Sequence, residues 1–295
     1  MTTTRSPLDA AFDRLGRWGF DDPDGFVNHG PMVCEALHEL GRFAEVDSWS
    51  RQVSGTPPVV VVHPTRFDWT DAIGDLSRTG EWMGYFERSI ADEGWSSTLH
   101  TWLPRLLPGL GVALFHGAIR TAHAARVVED VASPSRCAEL ARSLGYWAGL
   151  FEAGAVVDER DLSGGDEPRR GVVEAAAGAA HHYLAKPNIF GLHGVTAAMA
   201  VSILVRHVDT DDAVAALAQL RAEHAVLYRG VVPRHEFDVQ HLEEATLVEA
   251  AVQSGDAHAV KLVEACRRGL AATGDEVFLA AAERVTRRAI RTLGR

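Results

Sequence analysis

The sequence predicts an all-α fold, and three observations lead to this prediction. Apolar residues recur at intervals of three and four along most of the chain, which is typical of amphipathic helices. Proline and glycine stand where such helices would begin and end, as at Pro31, Pro134 and Gly41. Only PPVVVVHP, at 57–64, resembles a strand, and one strand cannot form a sheet. We therefore expect a bundle of about ten helices.

The predicted helices follow one another with short interruptions. In chain order they cover residues 7–18, 31–43, 68–90, 96–130, 135–151, 171–185, 189–208, 211–228, 241–253, 256–272 and 275–293. Ser133 and Thr210 are suited to cap the helices that follow them. A charged, glycine-rich segment at 152–171 separates two helical blocks, which predicts an exposed loop.

Composition points to one large domain, residues 1–295, in the cytoplasm. The 295 residues are 46% hydrophobic, enough for one core, and no change in composition divides the chain. A net charge of −11 with scattered basic residues argues against nucleic acid and against anionic membranes as partners. We find no signal-peptide pattern and no long uncharged apolar run. Three distant cysteines predict reduced thiols rather than a disulfide framework.

Two predicted helices are apolar on nearly every face, which predicts burial at the centre of the bundle. Residues 110–128 contain two charged side chains, Arg120 and Arg126, and residues 190–205 contain none. The first helix carries His116, Arg120 and His123 on one side, because seven residues make about two turns. His123 lies about 10 Å beyond His116 along the axis, so it is better suited to line an adjoining cavity than to share one ion.

Fourteen histidines offer many possible ligands, and most of them stand in polar stretches typical of surfaces and helix ends. His29 directly precedes a Gly-Pro helix start, so its ring can project from a fixed loop. His116 and His193 belong to the two buried helices. For each of these residues the alternative is an ordinary core histidine bonded to a backbone carbonyl.

The segment DAHAVKLVEACRR, at 256–268, places His258 and Lys261 three residues apart on one predicted helix. Lys261 is one of only two lysines in the chain, which makes its presence notable. On a helical wheel, Lys261 turns away from the apolar arc toward Glu264 and Arg268. The pattern alone therefore favours a solvated lysine in an ion-paired face.

Several catalytic signatures are absent from the sequence. GxxxxGK[ST], GxSxG and HExxH do not occur, and GLGVAL lacks both a preceding strand and the third glycine of a dinucleotide loop. EALH, at 35–38, is one ExxH pair without a convincing second, which excludes a ferritin-like di-iron bundle. We expect Glu35 and His38 on the polar face of their helix.

Four motifs in order, NHGPM, LPGLGVALFHGAIRTAHAAR, LHGVTAAMA and DAHAVKLVEACRR, resemble the questin-oxidase-like family of aromatic polyketide enzymes. The resemblance spans about residues 20–270. It implies an all-helical fold and the opening of the central ring of an anthraquinone-type polyketide. For site residues, it implies that a central buried non-haem iron is held by His29, His116, His193, His258 and a carboxylated Lys261.

This ligand set is chemically consistent. A buried lysine beside a cation loses its proton readily, and the free amine adds carbon dioxide to form an anionic carbamate. Iron(II) accepts such mixed nitrogen and oxygen donors. On chemical grounds we further expect His123 to act as general acid or base and Arg120 to stabilise an enolate or phenolate oxygen. Aromatic side chains could wall the substrate, although aromatic residues at helical spacing are more often plain core. These candidates are Trp82, Tyr85, Phe86, Trp95 and Trp102.

Three functions remain open on the sequence. The first is an iron(II)-dependent dioxygenase that cleaves a C–C bond of the polyketide with dioxygen. The second is an NAD(P)H-dependent Baeyer-Villiger-type monooxygenase on the same substrates, as some family members are described, although NAD(P)H could also serve only as a reductant. The third is a non-catalytic helical protein that binds a polyketide or carries a structural metal.

Overall fold

The computed structural model describes residues 6–155, 157 and 167–293, apart from the side chains of 288 and 291–293. The described residues form fourteen α-helices and contain no strand, so the prediction of an all-α fold is confirmed. The chain divides into two compact units, Met1–Gly154 and Ala155–Arg295. The expectation of a single domain stays a prediction.

The N-terminal unit contains eight of these helices. They are α1 (Pro7–Leu15), α2 (Gly30–Glu39), α3 (Phe43–Gln52), α4 (Trp69–Ala72), α5 (Thr79–Glu93), α6 (Trp95–Leu106), α7 (His116–Asp130) and α8 (Pro134–Leu150). Helix α8 packs against both α5 and α7 and forms the centre of this unit's core. Gly117 permits the close approach of α7 and α8, because a Cβ atom there would lie 2.7 Å from the ring of Trp147.

The C-terminal unit contains the other six. They are α9 (Pro168–Ala185), α10 (Ile189–Leu204), α11 (Thr210–Leu227), α12 (Glu244–Gln253), α13 (Ala257–Thr273) and α14 (Val277–Leu293). Helix α10 packs against α9, α11 and α13, so it is covered on several sides, as its apolar sequence predicts. Ser133 caps α8 as expected, whereas α11 begins at Thr210 itself and Asp209 takes the cap position.

Helix boundaries differ from the prediction in the N-terminal unit. The predicted helix over 96–130 is broken between α6 and α7 by a 3-10 turn, Leu107–Gly109, and by a left-handed turn within Val112–Phe115. Helix α3 was not predicted, although Phe43, Val46 and Trp49 recur every three residues along it. Residues 57–64 are irregular and do not form a strand.

Two further segments test sequence expectations. Residues 151–155 are irregular, but α9 begins at Pro168, so the last four residues of the predicted loop at 152–171 are helical. Residues 156 and 158–166 lie outside the described residues. Residues Ile189–His207 are long and apolar enough to cross a membrane by length and composition alone. Their most apolar window is 78% buried in the protein, which is the burial of a core helix.

Candidate metal centre

The N-terminal unit brings His29 and His116 together. His29 occupies the cap position of α2 and His116 is the first residue of α7. Their Nε2 atoms lie 2.9 Å apart, and their ring centroids lie 4.9 Å apart at an angle of 58°. Two histidines that are 87 positions apart in sequence thus face each other through their Nε2 atoms.

A left-handed turn sets the orientation of His116. Ala113, Leu114 and Phe115 all have positive φ angles, of 46°, 54° and 68°. This conformation costs a residue with a side chain roughly 1–2 kcal/mol. The turn brings the carbonyl oxygen of Ala113 to 2.5 Å from Nδ1 of His116. Since a carbonyl only accepts, Nδ1 carries the hydrogen, and Nε2 of the neutral ring presents its lone pair toward Nε2 of His29.

The spacing within this pair fits two ligands of one ion. Two nitrogens at right angles around an ion, each about 2.1 Å from it, lie about 3.0 Å apart. The 2.9 Å separation of the two Nε2 atoms is close to that value. In the absence of an ion, the same separation allows Nε2 of His29 to donate to Nε2 of His116. The pair therefore fits a cation without requiring one.

The C-terminal unit brings His193, on α10, close to His258, near the start of α13. Their ring centroids lie 5.2 Å apart. Nδ1 of His193 lies 2.8 Å from the carbonyl oxygen of Ile189, and Nδ1 of His258 lies 3.3 Å from a carboxylate oxygen of Asp256. Both rings thus have an acceptor at Nδ1, which leaves Nε2 for a metal, as is usual for metal-binding histidines.

Lys261 lies one turn after His258 and is buried. Its side chain is 1% exposed, and Nζ has no hydrogen-bond partner among the described residues. Burial lowers the pKa of Lys261 to about 7, against the smaller raising effect of Asp256. A lysine amine in this setting is neutral in a large fraction of molecules at neutral pH.

The helical-wheel interpretation of Lys261 as a solvated residue is wrong. The face it shares with Glu264 is covered, because α10 packs against α13 there. Arg268 Nη1 donates to the carbonyl of Met199 on α10 at 3.1 Å, and Arg268 Nε donates to Glu264 at 2.8 Å. A charged helix face such as this one can therefore lie either in solvent or against another helix, and the sequence pattern alone does not show which.

His123 belongs to a buried polar network. Its Nδ1 contacts Glu35, and Arg126 donates two hydrogen bonds to the same carboxylate, at 2.6 and 2.7 Å. Glu35 is fully buried, so its expected place on a polar helix face is wrong. Helix α2 packs against α1, α3 and α7, and this packing covers Glu35, whereas Glu39 one turn later is exposed. The two basic partners hold the pKa of Glu35 below its ordinary value despite burial, which opposes them.

Arg120 is paired with Glu139, and both side chains are buried. Nε and Nη2 of Arg120 donate to the two carboxylate oxygens of Glu139 at 2.7 and 3.1 Å. Nη1 is buried and has no hydrogen-bond partner within the described part of the chain. The guanidinium also lies 5.0 Å from the centre of the Phe20 ring. One nitrogen of Arg120 therefore remains free to bind another group.

Four of the five aromatic candidates pack together. Trp82, Tyr85, Phe86 and Trp102 have ring centroids 5.1–6.0 Å apart, mostly edge to face. Three of them are almost fully buried, in keeping with the plain-core alternative, and Tyr85 is partly exposed. Trp95 is partly buried at the start of α6. Their role toward a substrate stays a prediction.

Sequence reasoning missed three carboxylates that contact the candidate residues. Glu35 contacts His123, Glu139 contacts Arg120, and Asp256 contacts His258. Asp256 could have been found, because an acidic residue two positions before a helical histidine is a capping pattern. The Glu35–His123 and Glu139–Arg120 pairs join residues of different helices, so no short sequence pattern predicts them.

A search of protein families found no match for this chain, and a search of curated proteins found none either. The resemblance to the questin-oxidase-like family therefore rests on the four sequence motifs alone.

Proposed function

We propose that this protein is an iron(II)-dependent dioxygenase that cleaves a C–C bond in the central ring of an anthraquinone-type polyketide. In this proposal one iron(II) ion takes its ligands from His29, His116, His193, His258 and a carboxylated Lys261. The four sequence motifs imply this set, and the chemistry within each unit supports it.

The state of Lys261 is the observation that carries the proposal. A buried amine without a partner costs several kcal/mol unless another group compensates it. Desolvation lowers its pKa to about 7, so the nucleophilic free amine is available. Addition of carbon dioxide to that amine yields a carbamate, with the amine proton released to solvent. The carbamate is an anionic oxygen ligand, whereas the other four proposed ligands are all neutral imidazoles.

The remaining ligands fit the same purpose. His116, His193 and His258 each have an acceptor at Nδ1, so Nδ1 carries the ring hydrogen and Nε2 carries the lone pair that would bind a metal. This arrangement fixes the ring tautomer that a metal needs and raises the basicity of the ligand nitrogen. Four neutral imidazoles with one anionic oxygen would suit iron(II), which would supply the activation of dioxygen.

His123 and Arg120 have separate roles toward the substrate. Nδ1 of His123 is held by Glu35, so Nε2 is the atom that accepts or returns the proton of a phenolic hydroxyl. The buried carboxylate stabilises the imidazolium that this transfer produces. Nη1 of Arg120 is the donor left for an enolate or phenolate oxygen.

Metal stoichiometry tests whether the histidines of both units serve one ion. Anaerobic titration of the full chain with iron(II) should give one ion per chain. His116→Ala and His193→Ala, one change in each unit, should each abolish binding, and exposed His100→Ala should leave it unchanged. Two ions per chain, or one ion retained after either ligand change, contradicts the single-ion proposal.

The low lysine count makes the carbamate directly observable. The chain contains only Lys186 and Lys261, and Lys186 is exposed. With ¹³C-labelled bicarbonate, a carbamate resonance should appear in the wild type and in Lys186→Arg. It should be missing in Lys261→Arg. A spectrum without that resonance in wild type loaded with zinc(II), a diamagnetic ion that does not broaden it, contradicts the carbamate.

Labelled dioxygen tests the reaction. A hydroxyanthraquinone, or its reduced hydroquinone form, should give a ring-opened product with two ¹⁸O atoms from ¹⁸O₂ in the absence of NADPH. One ¹⁸O atom with strict dependence on NADPH supports the monooxygenase instead. Bound metal without turnover of either form supports a structural metal or a polyketide-binding protein.

A further inference from the structure

One oxygen of Asp256 contacts His258 twice. Asp256 is the cap residue of α13, and its Oδ1 accepts a hydrogen bond from the backbone N–H of His258 at 2.8 Å. The same Oδ1 lies 3.3 Å from Nδ1 of the His258 ring. The start of the helix and the direction of the imidazole are therefore set by one atom.

We propose that Asp256 is a positioning residue that holds His258 in the Nδ1–H tautomer and directs its Nε2 to the metal. This inference rests on the proposed metal site. Asp256 itself is not a ligand in the proposal. A carboxylate at the second nitrogen of a metal-binding histidine fixes the ring and makes the other nitrogen a stronger donor.

Capping does not require a carboxylate at this position, although Asp68 caps α4 with one. Asparagine and serine cap helices about as well as aspartate does. This chain uses both of them, since Asn188 caps α10 and Ser133 caps α8. The second contact, to Nδ1 of the ring, is what distinguishes Asp256 from those caps. Its contribution should therefore be separable from helix stability.

The chain offers a matched control in Asp275. Its Oδ1 accepts a hydrogen bond from the backbone N–H of Val277 at 3.0 Å, at the start of α14 in the same unit. Both aspartates thus bond the backbone two residues ahead, but among the described residues no hydrogen bond or ion pair joins Asp275 to an imidazole. Asp256→Ser and Asp275→Ser keep a hydroxyl cap and remove the carboxylate. Only the first change removes the contact with His258.

The first measurement uses the metal-free protein, in which ¹⁵N–¹H correlation spectra report the tautomer of each imidazole. His258→Gln identifies the His258 resonances. We expect the Nδ1–H form in the wild type and in Asp275→Ser, and a shift toward the Nε2–H form in Asp256→Ser. A predominantly Nε2–H ring in the wild type, or an unchanged tautomer in Asp256→Ser, overturns the inference.

The second measurement is the affinity for cobalt(II), a spectroscopic substitute for iron(II). Loss of such a partner typically weakens metal binding about 10- to 100-fold, which we expect for Asp256→Ser. Asp275→Ser should stay within about threefold of the wild type, and Asp256→Asn, which keeps a neutral acceptor, should fall between the two serine variants. Wild-type affinity in Asp256→Ser overturns the inference. If the wild type itself binds no metal, the proposed function fails, and the tautomer measurement still decides the role of Asp256.

Discussion

The two units hold their histidines by different physical means. In the N-terminal unit, a strained left-handed turn orients His116, and a network of buried charges orients His123. In the C-terminal unit, His258 and Lys261 follow from ordinary helical spacing, and packing against α10 accompanies the burial of Lys261, whereas His258 is partly exposed. The first unit uses backbone strain and ion pairs, whereas the second uses periodicity and desolvation.

This difference shows where each unit is sensitive. Removing one charge from a buried network leaves its partners uncompensated, so the N-terminal unit should lose stability on such a change. Removing the buried amine from the C-terminal unit relieves a desolvation cost, so that unit should gain stability while it loses the ligand. The predictions below separate the two cases, from the largest expected effect to the smallest.

Lys261→Met should abolish iron binding and stabilise the metal-free protein. The thioether cannot form a carbamate, but it fills nearly the same space without an amine to desolvate. Replacing buried ion pairs by apolar side chains is neutral or stabilises by up to about 4 kcal/mol, and for the unpaired amine of Lys261 we expect a gain of about 1–4 kcal/mol. Iron content and urea unfolding of the metal-free form measure the two effects. Lys186 is exposed, so Lys186→Met should change neither iron content nor stability. A loss of stability in Lys261→Met would contradict the prediction, because it would mean that the buried amine makes stabilising contacts.

Glu35→Ala should destabilise the protein by about 3–5 kcal/mol, because it leaves Arg126 and His123 buried without their anion. Glu39 lies one turn later on α2 and is exposed, so Glu39→Ala should cost no more than about 0.5 kcal/mol. Urea unfolding compares the two variants. Equal effects would mean that the buried network contributes little.

Acid should weaken the C-terminal unit at a higher pH than the N-terminal unit. Burial lowers the pKa of His224 to about 4, so between about 6.5 and 4 the unfolded chain binds a proton that the folded protein excludes. The free energy of unfolding therefore falls as pH drops through that range, by about 3 kcal/mol in all. The pKa of Glu35 is lowered, so its contribution is lost only below the ordinary carboxyl value of about 4.5.

Hydrogen exchange of α11 and α7 across pH 4–7 distinguishes these two losses. His224→Gln keeps a donor for the carbonyl of Gly194 and does not titrate, so it should remove the loss in α11 above pH 4.5. Exposed His100→Gln should leave that loss unchanged. An unaltered pH dependence in His224→Gln would assign the loss to another group.

Ala113→Gly should slightly stabilise the protein, by roughly 0.5 kcal/mol. Glycine adopts a positive φ without the steric cost that alanine has, and this gain exceeds its larger loss of entropy on folding. Ala91→Gly, at an exposed position in the regular helix α5, should instead cost about 1 kcal/mol. Thermal unfolding should therefore show changes of opposite sign. A lower melting temperature for Ala113→Gly would mean that the turn is not strained.

Much of the fold was predictable, because helical periodicity is a local signal. The helices around His193 and His258 were predicted to within about four residues at each end, and the burial of α10 followed from its uniformly apolar sequence. The break before His116 was not predicted. Three consecutive left-handed residues without glycine, Ala113 to Phe115, contradict local preference and persist only through their surroundings.

The sequence by itself determined the helical class, the buried histidine helices and the spacing of His258 and Lys261, because these depend on residues within a few turns of one another. Tertiary structure decided which polar side chains are buried. Glu35 and Lys261 both looked solvated on a helical wheel, and both are covered by neighbouring helices. A wheel shows which residues share a face, but only packing decides whether water or another helix lies against it.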